Sequence, residues 1–359
     1  MKEDESPMQF WKHLSLGLLA VILTSLVVLS SGCSKPVPVL HLYNWVDYIK
    51  PELITRFEQE NNCKVVLDTY DSNEAMYAKL KLGATGYDIA YPSSYMVQLM
   101  SQQGMLQKLN HDLLPNLVHL DPSSFKVSLD PEVDHCVPYT VSCTGVGYLK
   151  SKVKDVVPSW SMFDRTDLAG RMTMLDDMRE TIDAALHFLG FSSNTKDERE
   201  LEAARDQVIR WRKNLAKFEN EQYKSGLAGG EFLLVHGYLG DLLQIQAENP
   251  DIGIFLPQEG FVTTCDCMVI LKGAPQVELA HKWINFMLDP AVAAENTGFT
   301  QYLCPNKDSY ALLPEATRNN PAILLPPEVK ARGEVNLDLG EDNAKYIKIW
   351  DEIKAAPVE

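Results

Sequence analysis

The sequence predicts an α/β protein whose mostly parallel sheet is divided between two lobes. Three observations carry this. Strand-like and helix-like stretches alternate from Val39 onward, the pattern of parallel strands joined by crossover helices. The 359-residue chain exceeds what a single hydrophobic core ordinarily organises. Residues 137–148 are long, uncharged and rich in small side chains, which suits a strand crossing from one lobe to the other.

The chain opens on a different kind of segment. Residues 14–29 are apolar apart from Ser15, Gly17, Thr24 and Ser25, follow Lys12 and His13, and run into Ser30-Ser31-Gly32-Cys33. A basic start, a short apolar run and a small-residue exit mark a secretory signal, too short for a dependable membrane span. Residues 1–32 are therefore expected to be a signal peptide and 33–38 a tether. The Ser31-Gly32-Cys33 junction resembles the lipobox of bacterial lipoproteins. That implies a lipidated Cys33 and a protein held to a membrane on the periplasmic side. Glu3-Asp4-Glu5 is out of character for a signal, and a start at Met8 would give a clean basic segment. A signal-anchor helix that is never cleaved is the alternative.

Composition agrees with export. With Cys33 lipidated, six of the seven cysteines remain, an even number that permits disulfides in an oxidising compartment and leaves 15 pairings open. Cys143 closes one expected crossing strand while Cys265 and Cys267 open the other, so a bridge from Cys143 to one of the pair is a candidate. The formal charge of −16 disfavours nucleic acid and suits cationic ligands.

After the tether, residues 39–42 alternate as a first strand. Pro51 starts a helix whose face is Leu53, Ile54 and Phe57, closing near Asn61-Asn62. Residues 63–67 form a second strand. Asn73 is the expected cap of a helix carrying Met76, Tyr77 and Leu80, ended by Gly83. Residues 87–91 make a third strand, stopped by Pro92. Leu201, Val208, Trp211, Leu215 and Phe218 read as one long amphipathic helix. Residues 232–235 are a buried strand after Gly229-Gly230, and 269–271 a strand returning to the first lobe. Val277, Ala280, Trp283, Ile284 and Met287 line a further helix. Residues 343–353 close the chain with Tyr346, Ile349, Trp350 and Ile353 on one helical face.

The chemistry concentrates in Tyr43-Asn44-Trp45-Val46-Asp47-Tyr48, between the first strand and the first helix. In open α/β sheets ligands bind at the carboxyl ends of strands. Flat rings and a carboxylate there suit an organic cation. The alternative makes Tyr43 and Trp45 core aromatics and Asp47 a helix cap.

Three stretches carry a family resemblance: Tyr43 to Tyr48, Tyr70-Asp71-Ser72-Asn73-Glu74-Ala75-Met76-Tyr77-Ala78-Lys79-Leu80-Lys81, and Tyr91-Pro92-Ser93-Ser94-Tyr95. In order and spacing the chain resembles the spermidine/putrescine-binding proteins, the periplasmic or lipid-anchored receptors of bacterial polyamine ABC importers. Asp176-Asp177-Met178-Arg179-Glu180 and Leu186-His187-Phe188-Leu189-Gly190 match further along. The resemblance implies a two-lobed type II periplasmic binding fold with its ligand cleft between lobes. Lobe 1 would hold 37–140 and 268–310, and lobe 2 would hold 141–267 and 311–359. It implies a polyamine ligand, an ABC permease partner, no cofactor and no metal. The cleft residues it implies are Trp45, Asp47, Tyr48, Ser93, Tyr95, Asp177, Glu180, Asp266, Tyr302 and Asn336.

A polyamine is a flexible chain of two to four positive charges, and its receptor must replace the water around each ammonium with carboxylates or several oxygens. Asp177 and Glu180 share a face if their turn is helical. With Asp47 and Asp266 they would supply four unpaired negative charges, so a longer polyamine is expected to outrank a diamine. A plain helix N-terminal turn with Arg179 paired nearby is the alternative for Asp177 and Glu180. Where family members carry tryptophans this chain has Val235 and Thr264, predicting a wider cleft with less ring surface.

Rival chemistries have weaker support. Cys265-Asp266-Cys267 with His236 lacks the spacing of strong zinc patterns. Asp176, Asp177 and Glu180 have no second carboxylate motif to work with as a glycosidase acid–base pair. Gly229-Gly230 lacks the lysine and hydroxyl of a phosphate loop. Lone histidines such as His41 and His281 read as packing residues. The expected function is therefore non-enzymatic solute capture. The alternatives are another small amine, an unrelated solute, or an adhesin or sensor lipoprotein on the same fold.

Overall fold

The computed structural model describes residues 37–357; the expected signal segment, Cys33 and most of the tether lie outside the described residues. All strands, and those α-helices of eight or more residues, are numbered in chain order. The first part alternates β1 (Val39–Trp45), α1 (Pro51–Asn61), β2 (Lys64–Tyr70), α2 (Asn73–Lys81), β3 (Ile89–Ala90) and α3 (Ser94–Gln102). The long β4 (Cys136–Leu149) leads to β5 (Met172–Met174), α4 (Met178–Phe188), α5 (Glu198–Arg212) and β6 (Leu215–Phe218). Then come α6 (Gln222–Gly229), β7 (Leu234–Tyr238), α7 (Leu239–Glu248) and β8 (Ile252–Phe255). The long β9 (Phe261–Ile270) is followed by α8 (Val277–Met287), α9 (Pro290–Thr300), β10 (Gly333–Val335) and α10 (Asn343–Ala355).

The strands run in the order β2-β1-β3-β9-β4-β7-β5-β6, with β10 beside β9 and β8 beside β4. The sheet is mixed rather than mostly parallel. β1 is parallel to β2 and β3, and β5 is parallel to β6 and β7. Between these two parallel sets lie β4 and β9, paired antiparallel. The first half of β4 pairs with β9, and its second half, from Thr144 on, pairs with β7 and β8. One continuous strand thus serves both lobes, as residues 137–148 predicted.

Each lobe is covered on both sheet faces. In the first, Leu40 and Leu42 pack with Phe57, Trp283 and Ile284, while Tyr43 and Ala90 pack on the other side with Met76, Met96 and Val269. The period of two along β1 makes this division. In the second, Met172, Met174 and Leu234 join Trp160, Trp211 and Tyr346, while Val235 and Leu149 join Tyr223, Leu227 and Leu242.

Several local expectations are corrected. Ser72, not Asn73, caps α2, its Oγ accepting from the Ala75 N–H at 3.2 Å, which frees buried Asn73 to turn inward. The third strand is reduced to Ile89 and Ala90. Leu215 and Phe218 belong to β6, because α5 stops at Arg212 and the chain re-enters the sheet beside β5. Their spacing from Trp211 fits a helix only by coincidence. The six described cysteines are buried and free. Cys143 stands opposite Thr263 in the β4–β9 ladder, while Cys265 faces Val141 and Cys267 faces Pro138. The candidate bridge from Cys143 is therefore not formed, since the register gives it no cysteine as a direct partner.

Candidate functional site

A cavity of about 250 Å³ lies where the carboxyl ends of several parallel strands meet β9. Trp45 ends β1 and Val46 to Tyr48 follow it, Ser93 follows β3, Asp177 follows β5, and Tyr238 ends β7. All ten sequence-predicted residues line this one cavity.

Asp266 forms its floor. It is 6 % exposed, yet no basic group lies within ion-pair distance among the described residues. Three hydroxyls donate to its carboxylate instead: Ser93 to Oδ1 at 2.7 Å, Tyr48 to Oδ2 at 2.6 Å, and Thr140 to Oδ2 at 3.4 Å. Ser93 is itself held by Asn73, whose Nδ2 donates to Ser93 Oγ at 3.0 Å and whose Oδ1 accepts from the Ser93 N–H at 3.1 Å. Burial pushes the Asp266 carboxyl above its usual range, and the hydroxyls pull the other way. Strand alternation turns Asp266 into the cavity while Cys265 and Cys267 point into the core behind it. That geometry separates the Cys-Asp-Cys run as a metal-site candidate.

A second anionic position sits at the start of α4. Asp177 is its N-cap: Oδ1 accepts from the N–H groups of Arg179 at 3.0 Å and Glu180 at 3.1 Å, and Tyr238 donates to Oδ2 at 3.4 Å. Glu180, 4 % exposed, accepts from Thr144 Oγ1 at 2.8 Å. Burial first, and the charge of Asp177 second, raise the Glu180 carboxyl well above the usual range. Arg179 also borders the cavity; its guanidinium reaches Asp183 at 3.6 Å and the carbonyls of Leu337 and Ser193, and its charge draws the Asp177 and Glu180 carboxyls part of the way back down. The helix-turn alternative is thus true of the backbone, and the side chains face the cavity all the same.

Aromatic rings make the walls. The Trp45 indole donates to the Tyr91 carbonyl at 2.8 Å and lies 4.5 Å from the Tyr70 ring. Tyr48 lies 4.8 Å from Tyr302. Tyr302 donates to Asp241 at 3.0 Å and presses on Gly240, where a Cβ would meet its ring at 2.3 Å. Tyr95 donates to Glu74 at 3.0 Å, and the Asn336 Oδ1 is buried without a partner. Tyr43 is a core residue stacked on Tyr87. Asp47 is not a cap: it adopts φ 57° after β1 and takes Lys224 Nζ at 3.2 Å.

A model of the bacterial extracellular solute-binding proteins matches residues 52–324. This chain belongs to that family. The solute-binding protein is 33 % identical over 318 residues to the spermidine/putrescine-binding periplasmic protein of Escherichia coli K12, covering 88 % of this chain and 91 % of the relative. It is 33 % identical over 338 residues to the putrescine-binding periplasmic protein SpuD of Pseudomonas aeruginosa, covering 88 % and 92 %. The crystal structure of the TpPotD lipoprotein of Treponema pallidum superposes with a TM-score of 0.80 at 35 % identity, covering 88 % of this chain and 99 % of that one. The fold is the two-lobed periplasmic binding fold.

Sequence reasoning missed Lys224, Tyr238 and Asp241 of this solute-binding protein's cavity. Tyr238 was findable: it ends a strand and precedes a helix, as Trp45 does. Nothing in the periodicity of α6 turns Lys224 inward. The expectation for Val235 is corrected. It is fully buried among Tyr223, Leu227 and Leu242 and does not border the cavity. Thr264 does, and Tyr238 supplies a ring on the β7 side.

Proposed function

We propose that this protein captures a polyamine outside the cytoplasm and delivers it to an ABC permease. The observation that carries this is a pair of anionic positions, Asp266 and Asp177–Glu180, in one aromatic-walled cavity, neither within ion-pair distance of a protein cation among the described residues, although Arg179 borders the second. A carboxylate taken out of water is costly unless something compensates it. An ammonium ion is the natural compensator, and methylene chains lie well against Trp45, Tyr48, Tyr95 and Tyr302. Roles follow from position. Asp266 and Asp177–Glu180 take ammonium groups, Ser93 and Tyr48 orient Asp266, and Asn336 offers an amide oxygen. The names of the relatives support the ligand class, as those proteins bind spermidine and putrescine.

The same reading takes 37–140 with 268–310 and 141–267 with 311–359 as lobes that hinge on β4 and β9. Opening exposes the carboxylates to water, and ligand favours closure by cancelling their repulsion. Anchoring through a lipid on Cys33 would keep the loaded receptor near its permease. Thermal unfolding with and without putrescine or spermidine tests the ligand class. Either amine should raise the midpoint, and the Asp266→Asn variant should lose the shift. A shift produced by anionic or neutral solutes instead would refute the reading.

A further inference from the structure

The cavity already contains one ammonium group, and it belongs to the protein. Lys224 is on α6, beside the second lobe's β7, and its Nζ reaches across to Asp47 Oδ2 at 3.2 Å and Asp241 Oδ1 at 3.7 Å. Asp47 follows β1 in the first lobe. The lysine is held rather than loosely displayed, being 23 % exposed. Its partner Asp241 is fixed in turn, accepting from Tyr223 at 2.7 Å and Tyr302 at 3.0 Å. The Tyr302 ring packs tilted against Tyr48, the residue that donates to Asp266. The lysine-filled position therefore adjoins the Asp266 position through a continuous set of rings.

We infer that Lys224 is a tethered ammonium that fills a third cationic subsite and makes the cavity select diamines over longer polyamines. This rests on the polyamine reading and specifies it. Two anionic positions, Asp266 and Asp177–Glu180, have no protein cation within ion-pair distance among the described residues, one for each end of a diamine; the Arg179 guanidinium offsets only part of the second, whose carboxyls stay raised. A third ammonium would have to displace Lys224 from Asp47 and Asp241 or lie against its charge. Displacement gains little, because a group built into the wall competes at an effective concentration of order millimolar or above. Lying beside Lys224 is opposed by like-charge repulsion, even though the Asp47 side chain is 56 % exposed. Rejection of an unwanted ligand by a placed charge is a common source of specificity. Asp47 is paired with Lys224, so four free carboxylates are not available, and on this inference the expected preference for the longer amine is reversed.

Titration calorimetry of putrescine and spermidine against the full mature chain, Lys224→Met and Lys224→Gln tests this. Methionine keeps the stem, glutamine keeps hydrogen bonding, and neither keeps the charge, so both should act alike. The intact chain should bind putrescine more tightly. Each variant should improve spermidine relative to putrescine by at least tenfold. Adding Asp47→Asn to Lys224→Met should cancel much of that gain, because the vacated carboxylate is what the third ammonium would use. An unchanged preference in both variants overturns the inference and leaves the polyamine reading standing. No binding of either amine by any form overturns both.

Discussion

Tyr48 donates a 2.6 Å hydrogen bond to the Asp266 carboxylate, joining the loop after β1 to a strand 218 residues away. The contact steadies a carboxylate that no protein cation supports, and it does so from the wall against which ligand would lie. Removing the hydroxyl with Tyr48→Phe takes away a donor that favours the ionised form, so the Asp266 carboxyl should rise further. Hydrogen bonds to charged groups contribute about 1.5–3 kcal/mol. Amine affinity should therefore fall by about tenfold near pH 6 and by less at pH 8, measured by calorimetry across pH.

Glu180 should cost stability while serving recognition. Burial raises its carboxyl in the folded chain, so the unfolded chain ionises first as pH climbs. The penalty is absent below the ordinary glutamate value of 4.5 and present at neutral pH. Glu180→Gln keeps an acceptor for Thr144 and removes the charge. It should raise the unfolding midpoint at pH 7 by about 2–4 °C, show no gain near pH 4, and weaken amine binding. Scanning calorimetry at both pH values reads this directly. A midpoint that drops at pH 7 would remove the premise of an uncompensated charge.

Proton release should accompany capture. Burial raises Asp177, Glu180 and Asp266 in the empty cavity, and a bound ammonium lowers them again. Amine binding should expel protons and tighten as pH rises above the ordinary carboxylate range. Calorimetry in two buffers of different ionisation enthalpy gives the number released. An affinity flat with pH above that range would contradict the raised carboxyls.

The membrane attachment is read from sequence alone. Cys33→Ala should move the protein from the membrane fraction to the soluble one, and mass spectrometry should find lipid on Cys33 as the first residue. A mature N-terminus at Ser34 or beyond would refute the anchor.

Part of this site was legible because strand ends and ligand positions coincide in α/β folds. Trp45 ends β1, and Asp47 and Tyr48 follow it. Ser93, Tyr95, Asp177, Glu180, Asp266, Tyr302 and Asn336 came from family resemblance, since single residues on strands and loops carry no local signal. The internal neutralisation of Asp47 was not legible. Lys224 lies 177 residues away in the chain, and a solvated lysine and an inward one look alike in a helical pattern. Leu215 and Phe218 failed for a simpler reason: spacings of four and three fit a helix equally well when a turn intervenes. Asn73 gave up its capping role because Ser72, one place earlier, was equally able to cap.

On the proposed reading, buried carboxylates rather than apolar fit recognise the ligand. Titration with putrescine, spermidine and butane-1,4-diol at low and high salt tests it most directly, because the diol keeps putrescine's carbon chain and lacks its charges. The amines should bind one per chain, more weakly at high salt, and the diol should give no heat. Silence from both amines, together with clear binding of a neutral or anionic solute, would contradict the account.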